Sequence, residues 1–175
     1  TWRGQKKFTG GGILMSQAIH SIDQLVYFFG NPLRVKGNVR TTRDYLEVED
    51  EADAVIEFAS GESVTLKTTA NSEKTWKGIT SITGEKGKII LDSAETLMWD
   101  VPNVEKPLLE EKESISTEFK PKYYGPGHMK VIEDFISSIG KGERPYVTGE
   151  DCLDAMKIIF GIYGSSAKGG EWVNL

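Results

Sequence analysis

Gly10-Gly11-Gly12-Ile13-Leu14-Met15-Ser16-Gln17-Ala18-Ile19-His20-Ser21-Ile22-Asp23-Gln24-Leu25-Val26-Tyr27-Phe28-Phe29-Gly30-Asn31-Pro32 is the stretch on which the fold turns. Its apolar density from Gly12 to Phe29 predicts a largely buried helix. Gly30-Asn31-Pro32 stops it, because glycine takes a left-handed cap and proline cannot continue a helix. From Leu33 the period changes to two. Leu33, Val35, Gly37, Val39 and Thr41 alternate with Arg34, Lys36, Asn38, Arg40 and Thr42, which predicts a strand with one wet face.

Strands continue outward from there. Ala52 to Ala59 and Ser63 to Ala70 alternate on either side of a Ser60-Gly61-Glu62 turn. Trp76 to Thr83, Lys88 to Leu91 and Glu95 to Trp99 read as further strands, separated by short turns. Connections this short cannot make parallel crossovers, so the sheet is expected to be mainly antiparallel. Residues 101–122 are acidic and proline-spaced, which predicts a long loop or an irregular edge strand. Two helices close the chain. One runs from about His128 to Ile139 with Val131, Ile132, Phe135, Ile136 and Ile139 on one stripe. The other starts near Thr148, where Thr148 and Asp151 suit a capping box, and carries Leu153, Met156, Ile159, Phe160 and Tyr163. The order predicts one α+β domain over residues 1–175: an open, mainly antiparallel sheet with helices on one face.

Bulk properties narrow the function. The 175 residues carry a net charge of −5 without a basic cluster, which argues against nucleic acid. The acidic run from Glu47 to Asp53 reads as a solvated turn. A single cysteine, Cys152, excludes an internal disulfide and reads as core rather than nucleophile. No apolar run is long enough to span a bilayer. The start at Thr1-Trp2-Arg3-Gly4 shows neither Met nor signal-peptide structure, and reads as a cut. A cytoplasmic location and no membrane partner are expected.

Chemistry concentrates on the first helix. At 100° per residue, Ser16, His20, Asp23 and Tyr27 fall on one polar stripe. Such a stripe on a buried helix needs partners or a wet cavity. His20 is the candidate general acid or base, because histidine is the side-chain type on this stripe suited to proton transfer near neutral pH. The competing role is structural, with the imidazole bonded to a carbonyl or to Asp23. His20 and His128 are the only histidines and have no cysteine companion, so no metal is expected. The glycines before the helix let another backbone or a ligand approach, and leave N–H groups at the positive end of the helix dipole.

The string from Gly10 to Asp23 resembles the motif that opens the second domain of the glucose–fructose oxidoreductase / inositol dehydrogenase / MocA family. Trp2-Arg3-Gly4 resembles the strand leading into it. Thr83-Gly84-Glu85-Lys86-Gly87, Gly127-His128, Asp134-Phe135-Ile136, Gly142-Glu143-Arg144-Pro145, Gly149-Glu150-Asp151 and the run from Ile162 to Gly170 resemble later family segments in the right order. The resemblance implies a dihydrodipicolinate-reductase-like C-terminal domain, the substrate side of an oxidoreductase whose other half binds NAD or NADP. Hydride would pass between the nicotinamide and a sugar, polyol or related hydroxyl compound. It implies His20 as the catalytic acid/base, Ser16 and Gln17 beside the substrate, and an open sheet face joining subunits into a homo-oligomer. Val55, Thr65, Thr69 and the Trp76 region would then form a flat, partly apolar contact surface. Trp2, Arg3, Tyr124 and His128 are candidate substrate contacts, and Gly11 and Gly12 candidate cofactor contacts.

Three features depart from the pattern. Ser16 stands where many members carry Asp or Asn. Glu105-Lys106-Pro107 matches the family's catalytic-lysine motif, but that motif belongs to the nucleotide-binding half and precedes the glycine-rich helix. No G-x-G-x-x-G follows a strand, since Met15 occupies the third position. The chain alone is therefore expected to hold no NAD(H) tightly and to be inactive without its other half. The rival function is a non-enzymatic α+β module for binding or oligomerisation, with His20 structural.

Overall fold

The alternation that begins near Leu33 folds into a four-stranded antiparallel sheet in the computed structural model, which describes residues 2–72, 78–92, 95–107 and 127–175. Trp76, Tyr124 and most of the 101–122 segment lie outside the described residues. The sheet is built from β1 (Pro32–Arg40), β2 (Glu51–Phe58), β3 (Ser63–Thr69) and β7 (Val173–Asn174), in the order β3-β2-β1-β7. The tight 59–62 turn joins β2 to β3, with Gly61 at φ 103°. A second ladder holds β4 (Ile79–Gly84), β5 (Gly87–Asp92) and β6 (Glu95–Asp100) in that order. The single sheet expected from the sequence is thus two antiparallel ladders among the described residues.

Alternation places Val35, Ala52, Ala54, Ile56, Phe58 and Leu66 on one face. That face is covered by α4 (Leu153–Ala167) and α2 (Ile19–Phe29). The core is Leu14, Ile22, Val35, Ile56, Phe58, Ile158, Ile159 and Ile162, each at most 1% exposed. Each such side chain contributes roughly 1.5–3 kcal/mol on leaving water. Leu33 departs from the alternation: a register shift between Pro32 and Arg34 turns it outward.

The edge of β1 is closed in two ways. The short β7 pairs with Arg34 and Val35. Beyond it, the Ser165 hydroxyl accepts the Gly37 N–H at 2.9 Å and the Ser166 hydroxyl accepts the Val39 N–H at 3.1 Å. Helix α4 thereby completes the hydrogen bonding of a strand edge that would otherwise be a pairing liability.

Several helix expectations are corrected. The buried face of α4 is Ala155, Ile158, Ile159, Ile162 and Ser165, whereas Leu153 and Phe160 point outward. The Asp151 carboxylate does accept both the Thr148 N–H and hydroxyl, each at 2.8 Å, and Arg144 pairs with it at 3.0 Å. Helix α3 (Gly127–Lys141) forms as expected. Its apolar stripe, however, is not packed on the sheet: Ile132, Phe135, Ile136 and Ile139 are all more than half exposed.

Candidate active site

The glycine-rich stretch runs into a wide turn with π-type hydrogen bonding over Leu14–Ala18, and this continues directly into α2. No side chain caps this start locally. Glu49, 37 residues away, does so instead. Its carboxylate accepts the N–H of Gly12 at 2.9 Å and of Leu14 at 3.1 Å, and its backbone carbonyl accepts that of Ile13 at 3.0 Å. Three consecutive donors that a helix start leaves unpaired thus end on one residue. A fourth bond arrives from α4, where the Tyr163 hydroxyl donates to Glu49 Oε1 at 2.8 Å. Burial and then the Glu49 carboxylate push the Tyr163 phenol well above its ordinary value, so it remains a donor.

This overturns the solvated-turn reading of Glu47 to Asp53. Glu49 is 6% and Asp50 2% exposed. A buried carboxylate is costly unless bonded, and both are. Asp50 accepts the Thr42 N–H and hydroxyl at 2.8 Å each. Glu47 caps α1 (Lys6–Thr9) through the Lys6 N–H at 3.1 Å. Two glutamates two residues apart therefore cap two successive helices.

The same packing explains the glycines. A Cβ on Gly12 would lie 1.8 Å from the Glu49 carbonyl oxygen, and one on Gly11 would lie 2.3 Å from the Tyr163 hydroxyl. The expectation of free N–H groups for a cofactor is corrected here. Gly11 and Gly12 are buried, and the N–H groups of Gly12 and Leu14 are already held. The helix start does not fit a dinucleotide pyrophosphate, which needs open N–H donors.

The stripe itself is present but exposed. Leu14, Ala18, Ile22 and Leu25 are buried, and Met15, Ile19, Val26 and Phe29 pack partly buried beside them, so one face of the helix is inward and the other is exposed. Ser16, Gln17, His20, Asp23 and Tyr27 lie on the solvent side. The π-type turn contains Ser16 and ends two residues before His20, so the 100° spacing does not run through to Ser16. The Ser16 hydroxyl donates back to the Gly12 carbonyl at 2.8 Å, a local bond common for serine in helices. Neither the structural carbonyl bond nor an Asp23 bond to His20 is formed among the described residues.

Other candidates fall elsewhere. Trp2 and Arg3 lie in a 3-10 turn, Trp2–Gly4, and not in a strand. The Arg3 guanidinium stands 5.6 Å from the Trp2 ring centre, and both side chains are exposed. His128 is exposed at the start of α3. Lys106 donates to the Thr96 carbonyl at 3.1 Å beside β6, a surface bond. Cys152 is exposed, not core, because it precedes the buried face of α4. The open sheet face is also unlike its expectation. Val55 is half-buried among charges, with Arg34–Glu57 at 2.7 Å and Arg40–Asp53 at 2.6 Å. Arg34 and Lys36 sit 4.5 and 4.9 Å from the Trp172 ring centre. Thr65 and Thr69 are exposed on the same face. Glu49 and Tyr163 were not visible as site residues in the sequence: one sits in a charge run, the other in a helical apolar pattern.

An antiparallel sheet under two helices is the architecture of the C-terminal alpha/beta domain of an oxidoreductase family. The chain belongs to the glucose–fructose oxidoreductase / inositol dehydrogenase / MocA family: the model described as oxidoreductase family, C-terminal alpha/beta domain, matches residues 1–175. No curated protein matches the sequence. Among solved structures, the chain is similar to the WlbA dehydrogenase of Chromobacterium violaceum in complex with NADH and UDP-GlcNAcA. The identity is 27% and the TM-score 0.78, covering 99% of this chain and 48% of that one. WlbA from Bordetella pertussis, in the same kind of complex, gives 21% and 0.78, with 99% and 48% covered. Aldose-aldose oxidoreductase from Caulobacter crescentus, complexed with glycerol, gives 23% and 0.76, with 100% and 51% covered. The last two establish the fold. The chain spans about half the length of these structures.

Proposed function

We propose that this chain is the substrate-side half of an NAD(P)-dependent oxidoreductase acting on a hydroxyl of a sugar, polyol or related compound. The observation that carries this is the outward face of α2 in a domain of this family: His20, Ser16 and Gln17 are all exposed there. The dinucleotide belongs to the other half, where it would accept or supply hydride. Here, the His20 imidazole takes the hydroxyl proton as the carbinol is oxidised and returns it on reduction. Gln17 offers both a donor and an acceptor to sugar hydroxyls. Ser16 keeps lone pairs free to accept, although its own proton is engaged. The uncovered stripe of α3 supports the same reading, since an apolar face of this size calls for a covering surface.

His20→Ala in the full-length protein tests the role. Turnover is expected to fall about 10²- to 10⁴-fold, and an unchanged rate would reject His20 as the acid/base. The open sheet face is read as the contact between subunits, through Val55 and its flanking charge pairs. Val55→Arg is expected to shift the protein to a smaller species in light scattering, and an unchanged mass would remove this face from the contact. The alternative is a non-enzymatic binding or oligomerisation module. The Ser16 bond to Gly12 favours it, because it leaves that side chain without a free proton for a substrate.

A further inference from the structure

Resting on the reading of His20 as acid/base, we propose that Glu49 and Tyr163 are a positioning pair that sets the angle at which the His20 helix meets the substrate. A serine or aspartate at the N-cap would satisfy a helix start locally. This helix instead has its first donors held by a carboxylate from the lead-in to β2, and that carboxylate in turn accepts a hydroxyl from α4. Glu49 is two residues before β2, so the helix start is locked to the sheet. Tyr163 lies on the helix that packs against β1, so it is locked to the second layer as well. Between this clamp and His20 lies the π-type turn bearing Ser16 and Gln17. Turns of that kind concentrate at functional sites. Any shift at Gly12 to Leu14 is carried along the helix to all three side chains. Burying a carboxylate is an expensive way to cap a helix, and here it yields orientation that a local cap cannot.

Tyr163→Phe in the full-length protein isolates the effect, because the ring and its edge contact with Phe160 at 6.3 Å can remain. The expected result is a loss of about tenfold in kcat, since small misplacements are costly in catalysis. KM for the cofactor should be unchanged, and amide exchange over residues 12–16 should be faster. Glu49→Gln, which turns an acceptor into a donor facing an N–H group, should fall further in kcat. In a His20→Ala background, Tyr163→Phe should cause no additional loss. A wild-type kcat for Tyr163→Phe, unchanged exchange over 12–16, or the same loss again in the His20→Ala background would each overturn the inference while leaving His20 as acid/base. A wild-type rate for His20→Ala would overturn the acid/base reading itself, and this inference with it.

Discussion

Two adjacent acids, Glu49 and Asp50, carry the structure at the residue scale. Both sit in a run that composition assigns to solvent, yet both are buried and fully bonded. Their partners lie up to 114 residues away, which no local pattern can reveal. Gly12→Ala would press a methyl group onto the Glu49 carbonyl. It is expected to destabilise the protein by about 3 kcal/mol in urea unfolding, the upper end of ordinary overpacking. Asp50 has a pH signature. Burial pushes its carboxyl up, but the N–H and hydroxyl of Thr42 and the Asn71 amide outweigh this and hold it below 3.8. A depressed folded value means stability present above the unfolded pKa and lost as pH falls through the folded one. The urea midpoint should therefore drop below about pH 4, and Asp50→Asn should flatten that drop. An equally steep drop in Asp50→Asn would assign it to other acids.

At the element scale, α4 decides how closely the helix layer meets the sheet. A Cβ on Gly161 would lie 2.6 Å from Val35 Cγ1 and 2.5 Å from Leu175 Cδ2, whereas one on Gly164 meets only Val173 at 4.0 Å. Three residues apart in one helix, the two glycines should respond oppositely to alanine. Gly164→Ala is expected to stabilise by about 0.5–1 kcal/mol through helix propensity. Gly161→Ala should destabilise by about 1–3 kcal/mol through overpacking. Thermal melts of the two variants check the pair, and a common sign would refute the packing account. The sequence pattern located α4 and its Thr148–Asp151 start, but of the apolar residues it named on that helix Leu153 and Phe160 face outward. Helical spacing shows that residues share a face; it does not show which face meets the sheet. The same limit applies to α3, whose apolar stripe was legible and whose uncovered state was not.

For the whole molecule, the helix start is closed to a dinucleotide and the open sheet face is charged. The 175-residue chain alone is expected to show no micromolar NAD(H) binding by titration calorimetry, and a micromolar dissociation constant would sink that expectation. What the sequence determined by itself is the longer helices and strands, the antiparallel pairing and the family, because period, turn residues and the glycine-led His20 helix are local signals. Tertiary structure alone decided that the glycines receive Glu49 rather than a ligand. It also decided that Tyr163 joins that cap, that the sheet divides into two ladders and that the polar stripe of α2 faces outward. The reason is physical: hydrogen-bond satisfaction of buried groups is settled between segments far apart in the chain, where periodicity carries no information.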